Sequence, residues 1–313
     1  MRFQVPPHAA GRRLDRLVAE RLLGWSRSAI KQLFAVGRVR VGSPTGRSHR
    51  AAKGQRADGG EMVVIDLEGA PATGQDAAAT PDAEAPLSVV LERTDLVVAD
   101  KPAGQPCAPL RPGETGTLAN ALVARYPEMA ALGFRPSEPG LCHRLDNDTS
   151  GLVLAARSAQ SFERLIQAIR AGAMQKRYLL ICPQRGLPDR GCIDVPLRPH
   201  PRDRRRVVPA ETDAAVGAGR GRPARTPFRV LARRAGLALV EARVSRALRH
   251  QIRAHFASIG HPLVGDRIYR SDRTELGRHA LHASQIRFGG DDQVEPFEVR
   301  SALPADLRGL LGE

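Results

Sequence analysis

An α+β protein in two domains joined by a linker is what this sequence predicts, and three observations predict it. The chain has 313 residues, enough for more than one hydrophobic core. Short helical patterns and short strand-like apolar runs follow one another along it, and none approaches membrane-spanning length. Residues 67–86, LEGAPATGQDAAATPDAEAP, hold no large apolar side chain after Leu67, a composition that makes a flexible linker. The expected division is therefore 1–66, a linker at 67–86, and 87–313.

In the first domain Leu14, Leu17, Val18 and Leu22 lie on one face of a helix that begins after Gly11. Ser26 is a candidate N-cap for a second helix, whose apolar positions are Ala29, Ile30, Leu33 and Phe34. Gly37 ends it, and RVRV at 38–41 and MVVID at 62–66 read as strands. Arg27, Lys31, Arg38 and Arg40 fall on or beside the second helix. The whole stretch resembles the alpha-L RNA-binding module first known from a ribosomal small-subunit protein. The resemblance implies that these four cations track a phosphate backbone, adding affinity with little sequence reading. Gly42 and Ser43 stand where that module usually has Asn-Gly, which alters the turn that follows. The bland alternative is a small helical cap with a solvated basic face.

The second domain opens with SVVLERTDLVVADKPAG, two strand-like runs around a charged turn, and the Pro and Gly of DKPAG at 100–104 fix a sharp exit. A short helix at 118–126 has Thr117 as candidate N-cap. Next come HRLDNDTSG at 143–151 and the apolar run LVLAA, which reads as a buried strand. Phe162, Leu165, Ile166 and Ile169 make an amphipathic helix that Gly172 terminates. KRYLLIC at 176–182 is the next strand. Residues 198–225 are dense in Arg, Pro and Gly and read as a mobile basic loop touching RNA. Its GAGRGR lacks the preceding strand and following helix of a phosphate-binding glycine loop. FRVLARR and LALVEARV are strands joined by a turn at Gly236. Ile252, Phe256 and Ile259 share one face of a helix that Gly260 stops, and HALHASQIRF at 279–288 supplies a final strand.

The stretch 143–151 carries one Arg and two carboxylates and feeds straight into a buried strand, a place where a side chain can be held at a pocket wall. A calcium loop fits Asp146, Asp148, Ser150 and Gly151 but fails at the twelfth position, where Arg157 replaces the bidentate Glu. An Asp-x-Asp phosphotransfer nucleophile fits Asp146, Asp148 and Thr149, but His143 and Arg144 interrupt the apolar strand it needs. An Asx-turn with Thr and Ser capping their own backbone is the plain structural alternative. The fourth possibility is a lone Asp nucleophile beside an Arg.

HRLD followed by TSG resembles the active-site motif of the RluA-type pseudouridine synthases, with Asp146 in the place of the catalytic aspartate. Two further segments resemble that family in the same order: Lys-x-Tyr around Tyr178, and His-Gln-Ile-Arg with Gly-His-Pro-x-x-Gly-Asp within 250–269. The resemblance implies the family's fold, a mixed and mostly antiparallel sheet with flanking helices. It implies catalytic roles for Asp146, Tyr178 and Arg253, with Arg253 ion-paired to Asp146 and Tyr178 stacking on the uracil. It also implies substrate contacts for Arg144, Ile252, His143 and His250, Arg144 filling the space that a flipped base vacates. SRALR at 245–249 departs from the family's usual Thr-Gly-Arg-Thr, so the loop entering the helix is expected to differ. No cofactor and no metal are expected, because the isomerisation adds and removes no atoms.

Lys and Arg number 48 against 33 acids, a formal net charge of +15, which attracts polyanions and nucleic acid first among them. Aromatics are only 4% of the chain, so base stacking rests on few residues. Cys107, Cys142, Cys182 and Cys192 are far apart and none has zinc-ligand spacing, which fits reduced thiols in a cytoplasmic protein. The expected partner is RNA, ribosomal large-subunit RNA ahead of transfer RNA, with no membrane and a monomeric chain. The competing functional class is an RNA-binding protein on the same fold without catalysis, for which SRALR is the only support.

Overall fold

The computed structural model describes residues 1–22, 27–43, 46, 48–52, 54–67, 78–203, 205–210 and 221–312, with backbone alone for 27–29. The chain divides into two compact units, Met1–Ala78 with Leu110–Pro112, and Ala79–Pro109 with Gly113–Glu313.

The first unit contains β1 (Arg2–Gln4), α1 (Leu14–Arg21), α2 (Arg27–Ala35), β2 (Val39–Gly42), β3 (Ser48–Arg50) and β4 (Met62–Ile65). Its sheet runs β1-β4-β2-β3 with every pair antiparallel. Leu14, Leu17, Val18 and Leu22 are buried with Ile30, Leu33 and Phe34, and the inward positions Val39, Val41, Val63 and Ile65 complete this core. The period of 3.6 on the helices and of 2 on the strands thus meet at one apolar layer. Ser26, expected to cap α2, lies outside the described residues.

The second unit begins with β5 (Val89–Glu92), β6 (Leu96–Lys101), α3 (Leu118–Arg125), β7 (Ser150–Ala156) and α4 (Ala159–Ala171). It continues with β8 (Gln175–Pro183), β9 (Arg190–Asp194), β10 (Leu197–Pro199), β11 (Val207–Pro209), β12 (Arg225–Arg234) and β13 (Leu237–Arg243). The chain closes with α5 (Gln251–Ser258), β14 (Leu281–Phe288), β15 (Phe297–Arg300) and α6 (Ala305–Gly309). A nine-stranded sheet has the order β5-β6-β7-β14-β8-β13-β12-β9, with β15 also on β14. Among the described residues only β7 and β14 pair in parallel, so the expected mixed, mostly antiparallel sheet is present.

Helices cover both faces. Phe162, Leu165 and Ile166 of α4 pack on Leu152 and Leu154 of β7, whereas Leu118, Leu122 and Val123 of α3 pack on Val97 and Val153 behind them. Ile252 and Phe256 of α5 pack on Tyr178, Leu180 and Val240, and Leu307 of α6 packs on Ile181 and Leu237 of the opposite face. Thr117 caps α3 as expected, accepting from Asn120 N at 3.3 Å while Asn120 Oδ1 accepts from Thr117 N at 3.1 Å. Gly172 ends α4 at φ +80°.

At the middle of the sheet one edge of β14 is divided. His282 and Ala283 pair with Ser150 and Gly151 of β7, and Gln285 to Phe288 pair with β15. Gly151 makes the approach possible: it sits at φ +112°, and a Cβ there would lie 2.3 Å from the Ala283 carbonyl oxygen. The HRLDND segment is delivered at this split.

Three expectations need correction. The later part of the expected linker belongs to the second unit: Ala79 and Ala85 are buried, and the Asp82 carboxylate accepts from Gly116 N at 2.9 Å. Small side chains pack well there without the large apolar residues that signal a core. The expected basic loop contains a hairpin, β10 with β11, whose Leu197 and Val207 are buried with Tyr269; two apolar residues among many arginines hid it. Ile259 lies one position beyond α5 and is exposed.

Candidate active site

Asp146 sits in a loop that is fastened on both sides. Its carbonyl accepts from Thr149 N at 3.0 Å, closing a turn. The next carbonyl, of Asn147, accepts from Gly104 N at 2.9 Å and from Lys101 Nζ at 2.9 Å. Lys101 Nζ also donates to Pro102 O and Gln105 O, both at 2.8 Å, and the residue is almost wholly buried. Burial pushes the Lys101 ammonium down to about 8, so it still carries its proton at neutral pH. Arg278 holds the other end of the loop, donating to Asp148 O at 3.2 Å.

The Asp146 carboxylate meets a line of charges. Oδ2 accepts from Arg253 Nη1 at 2.7 Å, and Oδ1 lies 3.6 Å from His250 Nε2. Arg253 turns its Nε and Nη2 to Asp266, at 2.7 and 2.9 Å. Burial opposes the Arg253 charge, but the bonds and charges of Asp266 and Asp146 outweigh it and hold its pKa above the ordinary value. Asp266 is buried too, which works to raise its pKa, yet the guanidinium wins and keeps it low. Asp266 Oδ1 also accepts from Ile268 N and Tyr269 N, both at 3.1 Å. The guanidinium lies 5.4 Å from the ring centroid of Tyr269, whose hydroxyl is 3.3 Å from His250 Nδ1.

Tyr178 comes from β8, where it pairs with Ala242 on one side and Ala283 on the other, and is 5% exposed. Burial, helped by the Asp146 charge, pushes its phenol above its ordinary pKa. Ile252 is buried in the same cluster as Tyr178, with Leu145 at its margin. Asp146, Tyr178, Ile252, Arg253 and His250 therefore line one place. Arg144 is exposed beside it and pairs with Glu138. His143 is not brought to the carboxylate: its Nε2 accepts from Leu154 N at 3.2 Å, and its Nδ1 is buried without a hydrogen-bond partner. Burial holds this imidazole well below its ordinary pKa. A polar residue next to a motif reads as a site residue in sequence, whereas strand β7 claims its ring.

Lys101, Asp266, Tyr269 and His279 were missed as working parts. Lys101 and Asp266 stand inside motifs quoted above, at the end of an apolar run and after Val264-Gly265, where burial of a charge signals a fixed partner. His279 Nε2 lies 2.7 Å from Thr149 Oγ1, and burial first, then the Arg253 charge, pushes it down to about 3. Tyr269 gave no signal beyond its type.

A family model described as RNA pseudouridylate synthase matches residues 95–258, more than half of the chain. The chain belongs to the RNA pseudouridine synthase family. This pseudouridine synthase is 37% identical to an uncharacterized RNA pseudouridine synthase of Chloroflexus aurantiacus, over 98% of its own length and 91% of the relative's. It is 32% identical to the ribosomal large subunit pseudouridine synthase D of Xanthomonas campestris pv. campestris, over 98% and 90% of the two chains. The solved structure titled human RNA pseudouridylate synthase domain containing 1 is 25% identical, with a TM-score of 0.56 over 71% of this chain and 85% of that one. The protein is an isomerase of the RluA type.

In this synthase the departing SRALR segment leads into α5 through His250, which holds a left-handed φ of +53°. No side chain caps α5; the Gln251 side chain instead ties down the segment before the helix, accepting from Leu248 N at 3.0 Å. Among the described residues no group of three or more His, Cys, Asp or Glu could hold a metal ion. No described helix is long and apolar enough to cross a membrane. In the first unit Lys31 and Arg40 are exposed, Arg40 donating to Ser48 O at 2.8 Å, and Arg38 lies 3.6 Å from Asp66. The side chain of Arg27 is outside the described ones.

Proposed function

We propose that this enzyme isomerises uridine to pseudouridine in ribosomal large-subunit RNA, with Asp146 as the reacting carboxylate. One observation carries the reading: the Asp146 carboxylate stays partly exposed, its Oδ2 pinned by a guanidinium that Asp266 fixes from behind and its Oδ1 3.6 Å from His250 Nε2. The reaction breaks the bond from ribose to nitrogen 1 of uracil, makes one to carbon 5, and moves the proton of carbon 5 to nitrogen 1. A carboxylate serves by adding to the sugar or the ring, or by starting the elimination that frees the base. Buried Tyr178 and Ile252 supply an apolar floor for the uracil, and the neutral phenol is a proton carrier within reach of it. Arg144, exposed at the rim, takes the space that the flipped uridine leaves. The balance of atoms requires neither cofactor nor metal.

The ribosomal target is supported by relatives named for the large subunit. Residues 1–66 act as an alpha-L RNA-binding domain, with Arg27, Lys31, Arg38 and Arg40 on phosphates, and the second unit acts as the catalytic domain. The chain works as a cytoplasmic monomer. Asp146→Asn tests the chemistry: release of tritium from carbon 5 of labelled uridine in the RNA is expected to vanish, with RNA affinity unchanged. Turnover at the wild-type rate by that variant overturns the assignment.

A further inference from the structure

The sheet has a second charged surface on the side away from α5. On β8 and β13 the residues of the α5 side are Tyr178, Leu180, Val240 and Ala242, so Arg177, Glu241 and Arg243 point the other way. Arg229 of β12 stands opposite Glu241 in register, and Arg190 of β9 stands opposite Arg229. Glu241 is the hub: its carboxylate accepts from Arg229 Nε at 3.0 Å and Nη2 at 3.2 Å, from Arg243 Nε at 3.0 Å, and from Arg177 Nη1 at 3.3 Å. The Glu241 side chain is 8% exposed, while those of Arg177, Arg229 and Arg243 are 30%, 53% and 53% exposed.

Three guanidiniums on one carboxylate leave two positive charges uncompensated, and Arg190 adds a third. A buried carboxylate fixes the planes of the arginines without neutralising them, and their remaining N–H groups open to solvent. Planar forks of this kind match phosphate oxygens two at a time. The four strands span about 14 Å at ~4.8 Å per strand, wide enough to meet successive phosphates of one backbone. Among the described residues the patch offers no aromatic or Met anchor of the sort that centres a protein interface.

We propose that Arg177, Arg190, Arg229 and Arg243 form a phosphate-binding surface for an RNA segment remote from the target uridine, on the sheet face opposite the active site. The proposal rests on the RNA substrate argued above. A long structured RNA reaches both faces, whereas a hairpin carrying only the target loop reaches one.

The test compares wild type with Arg229→Gln/Arg243→Gln for binding to such a hairpin and to a long large-subunit RNA transcript, across a salt series. For the transcript the slope of log affinity against log salt is expected to shrink by about 1.8, at ~0.9 per lost phosphate contact, with hairpin binding and hairpin turnover unchanged. Arg190→Gln leaves the Glu241 network whole, so it separates charge from folding, and is expected to reduce the slope by about 0.9. An unchanged transcript slope in both variants, or an equal fall for hairpin and transcript, overturns the proposal. If wild type neither binds nor modifies either RNA, the functional reading itself has failed instead.

Discussion

Asp266→Asn probes the support behind Asp146, the carboxylate proposed to react. Asp266 is fully buried, and its Oδ1 accepts from three N–H groups: Arg253 Nη2 at 2.9 Å, Ile268 N at 3.1 Å and Tyr269 N at 3.1 Å. Oδ2 accepts from Arg253 Nε at 2.7 Å. An asparagine keeps its oxygen where three donors converge, which turns its NH₂ toward Arg253 Nε, donor against donor. Breaking one side of a buried pair costs about 3–5 kcal/mol. Arg253 still has Asp146 as a partner, so a loss near ~3 kcal/mol is expected, read by urea unfolding at neutral pH. Loss of the clamp also frees the guanidinium to move, and a misplacement of about 1 Å costs roughly 100-fold in rate. Turnover by the folded variant, followed by tritium release, is therefore expected to fall about 100-fold with KM for RNA little changed. Wild-type turnover would refute the reasoning and mean that α5 alone positions Arg253.

Gly151→Ala forces a side chain into a φ of +112° and within 2.3 Å of Ala283 O; a loss above about 1–3 kcal/mol is expected in chemical unfolding, from backbone strain alone. Lys101→Met leaves the carbonyls of Pro102, Gln105 and Asn147 without their shared donor; a loss of about 2–3 kcal/mol and slower turnover are expected, and an unaffected rate would separate Lys101 from the Asp146 loop. His279 sits at about 3 in the fold and at about 6.5 when unfolded. Between those values the unfolded chain binds the extra proton, so His279 makes stability fall by about 1.4 kcal/mol per unit as pH drops. His279→Gln, which retains a partner for Thr149, is expected to flatten the stability profile by that amount in acid unfolding series.

Sequence periodicity located most of the regular structure because burial follows the same periods. Leu14, Leu17 and Val18 or Phe162, Leu165 and Ile166 announce a face before any neighbour is known. Short edge elements were not legible: β1, β9 and β15 alternate over few residues, and β10 and β11 hide Leu197 and Val207 among arginines and prolines. Motifs carried the site's residue types, so Asp146, Tyr178 and Arg253 could be named from the chain alone. Their supports could not. Lys101 and Asp266 act through carbonyls and a guanidinium brought from 46 and 13 residues away, and no local pattern records which buried charge will find which partner. His143 erred for the complementary reason, since adjacency along the chain says nothing of which strand takes the ring.

The way one guanidinium is shared bears directly on reactivity. Had Arg253 met Asp146 with two parallel bonds, both oxygens would be engaged and the carboxylate's charge largely cancelled. Asp266 takes two of the three hydrogen bonds instead, leaving Asp146 a single bond on Oδ2. Two carboxylates and one guanidinium carry a net negative charge. The surrounding imidazoles do not cancel it, because burial lowers the pKa of both His250 and His279 despite the nearby acids. Oδ1 is left beside His250, whose Nε2 lies 3.6 Å away, with no bond from Arg253. Bonded to Arg253 through one oxygen alone, Asp146 is held in position without a bidentate ion pair, as the reaction proposed for it requires.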